Sequence, residues 1–248
     1  MISVVILTKN EEKNIERCLN SILWCDEIIV IDDHSIDKTV MLAKQKGAKV
    51  FTRSLNDDFA SQRNFGLEKA KEEWVLFLDA DEQISQPLWF ELMEHTNNPQ
   101  NTAVGFYIRR VDTIWGKQLH FGESGNHKIL RLAKKDAGKW VGKVHEVWKV
   151  RGTTVVLQKQ LDHFPHQTVS AFLAEINYYT DIRANELFQK KVPVIWWHLI
   201  VYPKAKFVIN YFIKMGYRDG LPGFVSALMM SFHSFLVRGK LWLLWQKK

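Results

Sequence analysis

A chain of 248 residues and 29.1 kDa, 46% hydrophobic and 25% charged, can bury a full core in one domain or in one domain plus an appendage, which excludes a disordered protein. Its two cysteines, Cys18 and Cys25, are too few for a disulfide framework and match neither zinc nor redox spacing, which predicts a reducing compartment. The net charge of +7 is uneven: residues 190–248 hold ten Lys or Arg against one acid, Asp219, while the other 24 basic and 26 acidic residues nearly cancel, so an anionic partner surface is expected for the tail only.

The opening "MISVVILTKNEE" has no basic n-region and turns polar after a short apolar run, so no signal peptide is expected and the protein is predicted to stay in the cytoplasm. "ISVVIL" (2–7) reads as a strand. "NEEKNIERCLNSIL" follows, with Ile15, Leu19, Ile22 and Leu23 at helical spacing behind Asn10 as N-cap. "EIIVI" (27–31) is a second strand, "DKTVMLAKQKG" a helix closed by Gly47, and "AKVF" (48–51) a third strand. "FASQRNFGLEKAKEE" is a third helix and "WVLFL" (74–78) a fourth strand. Continuous apolar strands alternating with helices predict an α/β, doubly wound, mostly parallel sheet.

In such sheets ligands lie beyond the carboxyl ends of the strands. There the chain places "TKNE" (8–11), "DDHSIDKT" (32–39) and "DADE" (79–82). Carboxylates concentrated this way hold a phosphate only with a cation between them, which implies a metal with a diphosphate. In an extended segment Asp79 and Asp81 face the same side, so both can address one divalent ion, and hard oxygen donors select Mg²⁺ or Mn²⁺. Alone, an Asp-x-Asp is weak evidence; its place at the end of a buried strand strengthens it. Glu82 reads as a bystander at the turn.

"VVILTKNEEKNIERCLNSI", "EIIVIDDHSIDKT", "FASQRNFGLEKAKEEWVLFLDADE" and "VHEVW" together resemble family 2 glycosyltransferases of the GT-A fold, most of all the small bacterial enzymes that glucosylate lipopolysaccharide cores. The resemblance covers nearly the whole chain. It implies inverting transfer of a sugar from a nucleotide-diphosphate sugar donor, with a divalent metal at the Asp-x-Asp. It also implies a donor pocket at Thr8, Glu11, the Asp32–Asp33 pair, Arg63 and Asp79. A turn remains the plain alternative for Asp32 and Asp33, and a solvated helix face for Arg63.

Inverting transfer needs a base for the acceptor hydroxyl on the face opposite the leaving group. By the resemblance, the "VHEVW" segment supplies it: Glu146 is expected as the base, with His145 as alternative and a cross-strand lysine partner as the structural one. The third metal ligand falls on "LDHFPH", where His163 fits better than His166. "GESGNHKILRL" (122–132), with Arg131, resembles the acceptor-side loop and its following strand. The expected division is a catalytic domain at 1–165, with a nucleotide-sugar half at about 1–100 and an acceptor half at about 101–165, followed by a helical region at 166–248.

That helical region begins with an amphipathic helix (168–188), whose Phe172, Ile176, Tyr179 and Ile182 are expected on one face. The apolar stretches beyond it include 220–237, uncharged over 18 residues. These predict helices lying in a membrane interface, with Trp196, Trp197, Trp242 and Trp245 at headgroup level and the basic residues on anionic lipid; a transmembrane hairpin is the alternative. Nucleic acid is not expected, because no recognition motif appears and the aromatics do not alternate with basic residues. A lipid-linked saccharide acceptor at the cytoplasmic membrane face accounts for the tail. A polyprenyl phosphate acceptor and a non-catalytic nucleotide-sugar binding module are the competing readings. A nucleotidyltransferase is disfavoured, since "TKNEE" is acidic where a Gly-rich basic phosphate loop would stand.

Overall fold

The structure is a computed structural model and describes residues 1–123, 127–143, 146–165 and 168–247. Strands β1 (Ile2–Thr8), β2 (Glu27–Asp32), β3 (Lys49–Thr52) and β4 (Trp74–Asp79) alternate with helices α1 (Ile15–Asn20), α2 (Thr39–Gln45) and α3 (Phe59–Lys69). After β5 (Glu82–Ile84) and α4 (Gln86–Asn97) come β6 (Gly105–Ile114), β7 (Lys117–Leu119), β8 (His127–Lys134), β9 (Gly138–Val141), β10 (Val147–Val150) and β11 (Thr154–His163). The chain ends in α5 (Val169–Gln189), α6 (His198–Val208), which runs on through a wider turn at Ile209–Ile213, and α7 (Gly220–Gln246).

The main sheet has the order β3-β2-β1-β4-β8-β6-β11-β5. Its first four strands are parallel; β1, β2 and β4 are almost continuously buried because helices cover both faces, while β3 at the edge of the sheet is exposed or half-buried. The α/β class and the parallel sheet are as expected. Beyond β4 the pairing becomes antiparallel, at β4–β8 and β11–β5, because the helical crossovers stop after α4. Strands β9 and β10 form a separate antiparallel ribbon.

One core layer gathers Val4, Ile6, Leu19, Ile22, Leu76, Leu78, Leu88 and Phe106. The opposite layer, around Val5, Ile29, Phe77 and Trp140, lies under α3. A Cβ added at Gly66 of α3 would meet Val5 Cγ1 at 2.4 Å, so the helix lies closer to β1 than any side chain there would permit. Asp58 caps α3 by accepting from the Ser61 N–H at 2.8 Å.

Two local expectations are corrected. Asn10 does not cap the first helix: it adopts the left-handed region (φ 55°), and its Oδ1 accepts from the Ile36 N–H at 2.9 Å. Asparagine tolerates that conformation, and α1 starts only at Ile15. On α5 the buried stripe is Phe172, Ile176, Thr180, Ala184 and Leu187, leaving Tyr179 exposed. The stripe follows three steps of four and one of three toward α7, where Met229, Val237 and Leu241 meet it.

The chain divides into two compact units, residues 1–110 with 128–163, and residues 111–127 with 164–248. In the second, Asp219 accepts from the Phe121 N–H at 2.9 Å, and Glu123 binds Lys206 Nζ at 2.8 Å and Asn210 Nδ2 at 3.1 Å. These bonds tie segment 111–127 to the C-terminal helices. Among the described residues, one helix, spanning 216–246, is long and apolar enough by length and composition to cross a membrane.

Candidate active site

The parallel register sets the site. Thr8 lies opposite Asp32, and Leu7 opposite Asp79, so β1, β2 and β4 end nearly flush, with their carboxyl ends on one rim. Thr8 is buried, and its Oγ1 has no hydrogen-bond partner among the described residues. Asp32, 1% exposed, accepts the Ser35 N–H on Oδ2 at 2.9 Å, while its buried Oδ1 has no partner among the described residues. The turn chemistry is therefore present, and it occupies one oxygen of two. Native structures seldom leave such atoms without a partner, which marks this pair as facing a ligand or water.

Asp33 is spoken for on both sides, by Lys9 Nζ at 2.7 Å and the Leu55 N–H at 3.0 Å. Partial burial would raise its pKa, but the Lys9 ammonium and the Leu55 amide hold it below the usual carboxylate range. Glu11 accepts from Asn14 Nδ2 at 2.8 Å. The loops after β1 and β2 are cross-stitched: the Asn10 N–H donates to Ser35 Oγ, the Glu11 N–H to Thr39 Oγ1, the Glu12 N–H to Asp37 Oδ2, and the Lys38 N–H to Glu12 Oε2.

At the end of β4 lies a buried network of opposite charges. Arg63, 4% exposed, donates from Nη2 to Asp79 Oδ1 at 2.9 Å and from Nε to Glu146 Oε1 at 2.9 Å. Its guanidinium sits 4.8 Å over the Trp140 ring, and its buried Nη1 has no partner among the described residues. The solvated-face alternative for Arg63 is thereby excluded, and Glu146 pairs with an arginine instead of a surface lysine. Arg131, on β8, donates from Nη2 to Asp79 Oδ2 and, at 2.7 Å, to Glu82 Oε1. Burial would raise Asp79, but Arg131 and then Arg63 hold its carboxyl well below the usual range. Burial pushes Glu82 up, against the pull of Arg131.

Glu82 is no bystander. It is fully buried, accepts the Asp79 N–H on Oε2 at 2.9 Å and shares Arg131 with Asp79. The pairing of Glu82 with His163 across β5 and β11 buries it, and the same pairing brings His163 Nε2 to 3.1 Å from Asp81 Oδ2. His145 and His166 lie outside the described residues, as does part of the 122–132 loop. Arg131 itself lies in the carboxylate network.

A divalent cation is tested by its donors. Both Asp79 oxygens face guanidinium groups, which occupy the places a metal would need. Asp81, with its side chain 24% exposed, and His163 offer an oxygen and a nitrogen on one spot. Among the described residues no group of three or more His, Cys, Asp or Glu converges on a metal position. Two protein donors with substrate phosphate completing the shell is the ordinary arrangement for Mg²⁺, and an imidazole is compatible with Mn²⁺. The residues present fit the metal through Asp81 and His163.

The sequence model of "Glycosyl transferase family 2" matches residues 3–207. The chain belongs to glycosyl transferase family 2. Among relatives, an uncharacterized glycosyltransferase of Rickettsia typhi is 29% identical over 97% of this chain and 86% of its own length. The lipopolysaccharide core biosynthesis glycosyltransferase LpsC of Rhizobium meliloti is 26% identical over 97% and 92%. Among solved structures, S. aureus TarS 1–349 in complex with UDP-GlcNAc aligns over 100% of this chain and 92% of its own, at 12% identity and a TM-score of 0.48. The glucosyl-3-phosphoglycerate synthase of Mycobacterium tuberculosis, in complex with Mn²⁺, UDP and glucosyl-3-phosphoglycerate, covers 44% of each chain at 25% identity and a TM-score of 0.39. The architecture of this family 2 member is α/β with a parallel run of strands in its first half and an apolar C-terminal helix.

Proposed function

We propose that this family 2 glycosyltransferase moves a sugar, with inversion, from a nucleotide-diphosphate sugar to a lipid-linked saccharide of the lipopolysaccharide-core kind at the cytoplasmic face of the membrane. The observation that carries the reading is the rim where β1, β2 and β4 end. Thr8 and Asp32 keep buried oxygens there, without a partner among the described residues, for a base or ribose, beside a carboxylate–arginine network suited to a charged leaving group. The LpsC likeness along nearly the whole chain favours that acceptor class.

In the reaction the acceptor hydroxyl gives its proton to Glu146 as its oxygen bonds to the anomeric carbon from the face opposite the diphosphate. The anomeric C–O bond breaks in the same displacement, and its electron pair leaves with the nucleoside diphosphate. Arg63 holds Glu146 and Asp79 together, setting the base relative to the leaving-group corner. Asp81 and His163 would hold Mg²⁺ or Mn²⁺, which when bound offsets the charge of the diphosphate. Asp79, saturated by arginines, is assigned to positioning, although the Asp-x-Asp spacing pointed to metal.

The donor assignment is tested by screening nucleotide sugars for thermal stabilisation with and without Mn²⁺ or Mg²⁺. At least one is expected to raise the melting temperature in a metal-dependent way, and Asp81→Ala is expected to remove the metal dependence while keeping the fold. Stabilisation that is equal with and without metal, or an Asp81→Ala variant that responds like the parent, overturns the metal assignment.

The second unit supports the membrane placement. Leu221, Phe224, Leu228, Phe232, Phe235, Trp242 and Leu243 are 38–72% exposed; the first five recur every three or four residues and the last two follow two turns on, so they run along one face of α7. Other faces of α7 pack on α5 and α6. A helix apolar on one exposed side and packed on others lies in an interface more readily than it crosses one, and the basic excess of residues 190–248 matches anionic headgroups. Co-sedimentation with phosphatidylglycerol-containing vesicles is expected, weakened by salt and reduced about tenfold or more by the double change Leu228→Glu and Phe232→Glu, with donor-induced stabilisation unchanged. Retention in the membrane after alkaline carbonate extraction would favour the spanning alternative instead.

A further inference from the structure

Helix α3 holds the β9–β10 ribbon at three successive places. At its start, the Phe59 N–H donates to the Lys143 carbonyl at 2.9 Å. One turn on, Arg63 binds Glu146, the residue just before β10. Next to it, Asn64 Nδ2 donates to the Trp140 carbonyl at 2.9 Å, and the Trp140 N–H donates to Asn64 Oδ1 at 3.0 Å. An amide that both donates to and accepts from one residue reproduces the hydrogen bonds of a neighbouring strand. Among side chains of this length only asparagine carries both groups.

Trp140 is the reference point of the ribbon. Its backbone pairs with Trp148, and the next pair, Val141 with Val147, is the last before Glu146. Its ring stacks on Trp148 at 5.3 Å and meets Phe77 edge-on at 5.1 Å. Because Gly66 seats α3 directly against β1, the helix is a fixed support, and what it grips is fixed with it. Arginine alone is a long, jointed tether for Glu146, whereas the two Asn64 bonds hold the Trp140 backbone to α3 at both its N–H and its carbonyl.

We propose that Asn64 is a positioning residue for Glu146: by gripping Trp140 it locks the β9–β10 ribbon in register, so that the Glu146 carboxylate is held for proton transfer. The role belongs to the transfer step and not to donor binding. It rests on the reading of Glu146 as the base.

The experiment compares Asn64→Ala and Asn64→Asp by steady-state kinetics with labelled donor, alone and in a Glu146→Gln background, with thermal melting as the check on folding. Asn64→Asp keeps the side-chain volume and the acceptor for the Trp140 N–H, so it remains informative where the alanine variant is unstable. In both variants kcat is expected to fall roughly 10- to 100-fold, as for a misplacement on the order of 1 Å, with the donor KM and donor-induced stabilisation within about twofold of the parent. In the Glu146→Gln background the same substitutions are expected to change the residual rate by less than about twofold, because they act through Glu146. An unchanged kcat, a loss expressed in donor KM, or a full multiplicative loss in that background overturns the proposal. The two failures are distinct. If Glu146→Gln alone keeps normal turnover, the base reading falls and this role with it; if Glu146→Gln is inactive while the Asn64 variants turn over normally, only this role falls.

Discussion

Glu146→Gln is expected to lower kcat by about two to four orders of magnitude while leaving donor binding intact, the range for loss of a positioned general base. Glutamine keeps an oxygen for the Arg63 Nε–H, so the bond at 2.9 Å survives in kind and the ribbon is not released. The change therefore removes proton acceptance and little else. Steady-state kinetics with a saccharide acceptor, paired with donor-induced stabilisation, separates the two effects. Near-normal turnover would overturn the base assignment and favour an acceptor already ionised, such as a polyprenyl phosphate, whose oxygen needs no base. Abolished donor binding would instead place Glu146 in the donor pocket.

The second large effect is on stability. Arg131→Met leaves Asp79 and the fully buried Glu82 facing each other without the cation they share. Breaking a buried pair by removing one partner costs about 3–5 kcal/mol, which in a chain of this size lowers the melting temperature by roughly 10 °C. The pH dependence follows from the signs. Asp79 is held below the usual carboxylate range, so its contribution is present above the unfolded pKa of about 3.9 and is lost as pH falls through and below it. Glu82 is raised, so its ionisation costs stability above about 4.3, and that cost is relieved as pH falls. Without Arg131, Asp79 moves toward the behaviour of Glu82. The deficit of the variant relative to the parent is therefore expected to shrink between about pH 7 and pH 4 in calorimetric or fluorescence melts. A deficit independent of pH would mean that lost packing, not charge, is its source.

Much of the first half was legible because local rules decide it. Apolar runs bounded by helical spacing led to β1 through β4 within a residue or two, and the acidic strand ends followed from them. Glu82 was misread because its burial depends on pairing with His163, about eighty residues away, which no local pattern reports. Arg131 carried a usable signal: a single charge inside the apolar run "ILRLA" must find a buried counter-charge. The clamp of Asn64 was beyond reach, since it needs the packing distance that Gly66 sets and a ribbon that forms elsewhere in the chain. On α5, Phe172 and Ile176 are buried as the helical period predicts, but the stripe continues through Thr180 and Ala184 and not Tyr179 and Ile182, because it follows what α7 presents.

The stitched loops after β1 and β2 carry a thermodynamic consequence. Asn10 and Ser35, Glu11 and Thr39, and Glu12 with Asp37 and Lys38 hold each other through the protein's own hydrogen bonds. On the proposed reading of Thr8 and Asp32 as the donor pocket, docking a nucleotide there demands little new ordering of these cross-linked loops, and the entropic penalty that usually erodes affinity falls mainly on the ligand. Cutting one stitch, as in Ser35→Ala, should loosen the pocket before the ligand binds and shift the loss into the entropy of association, with the enthalpy of the remaining contacts preserved.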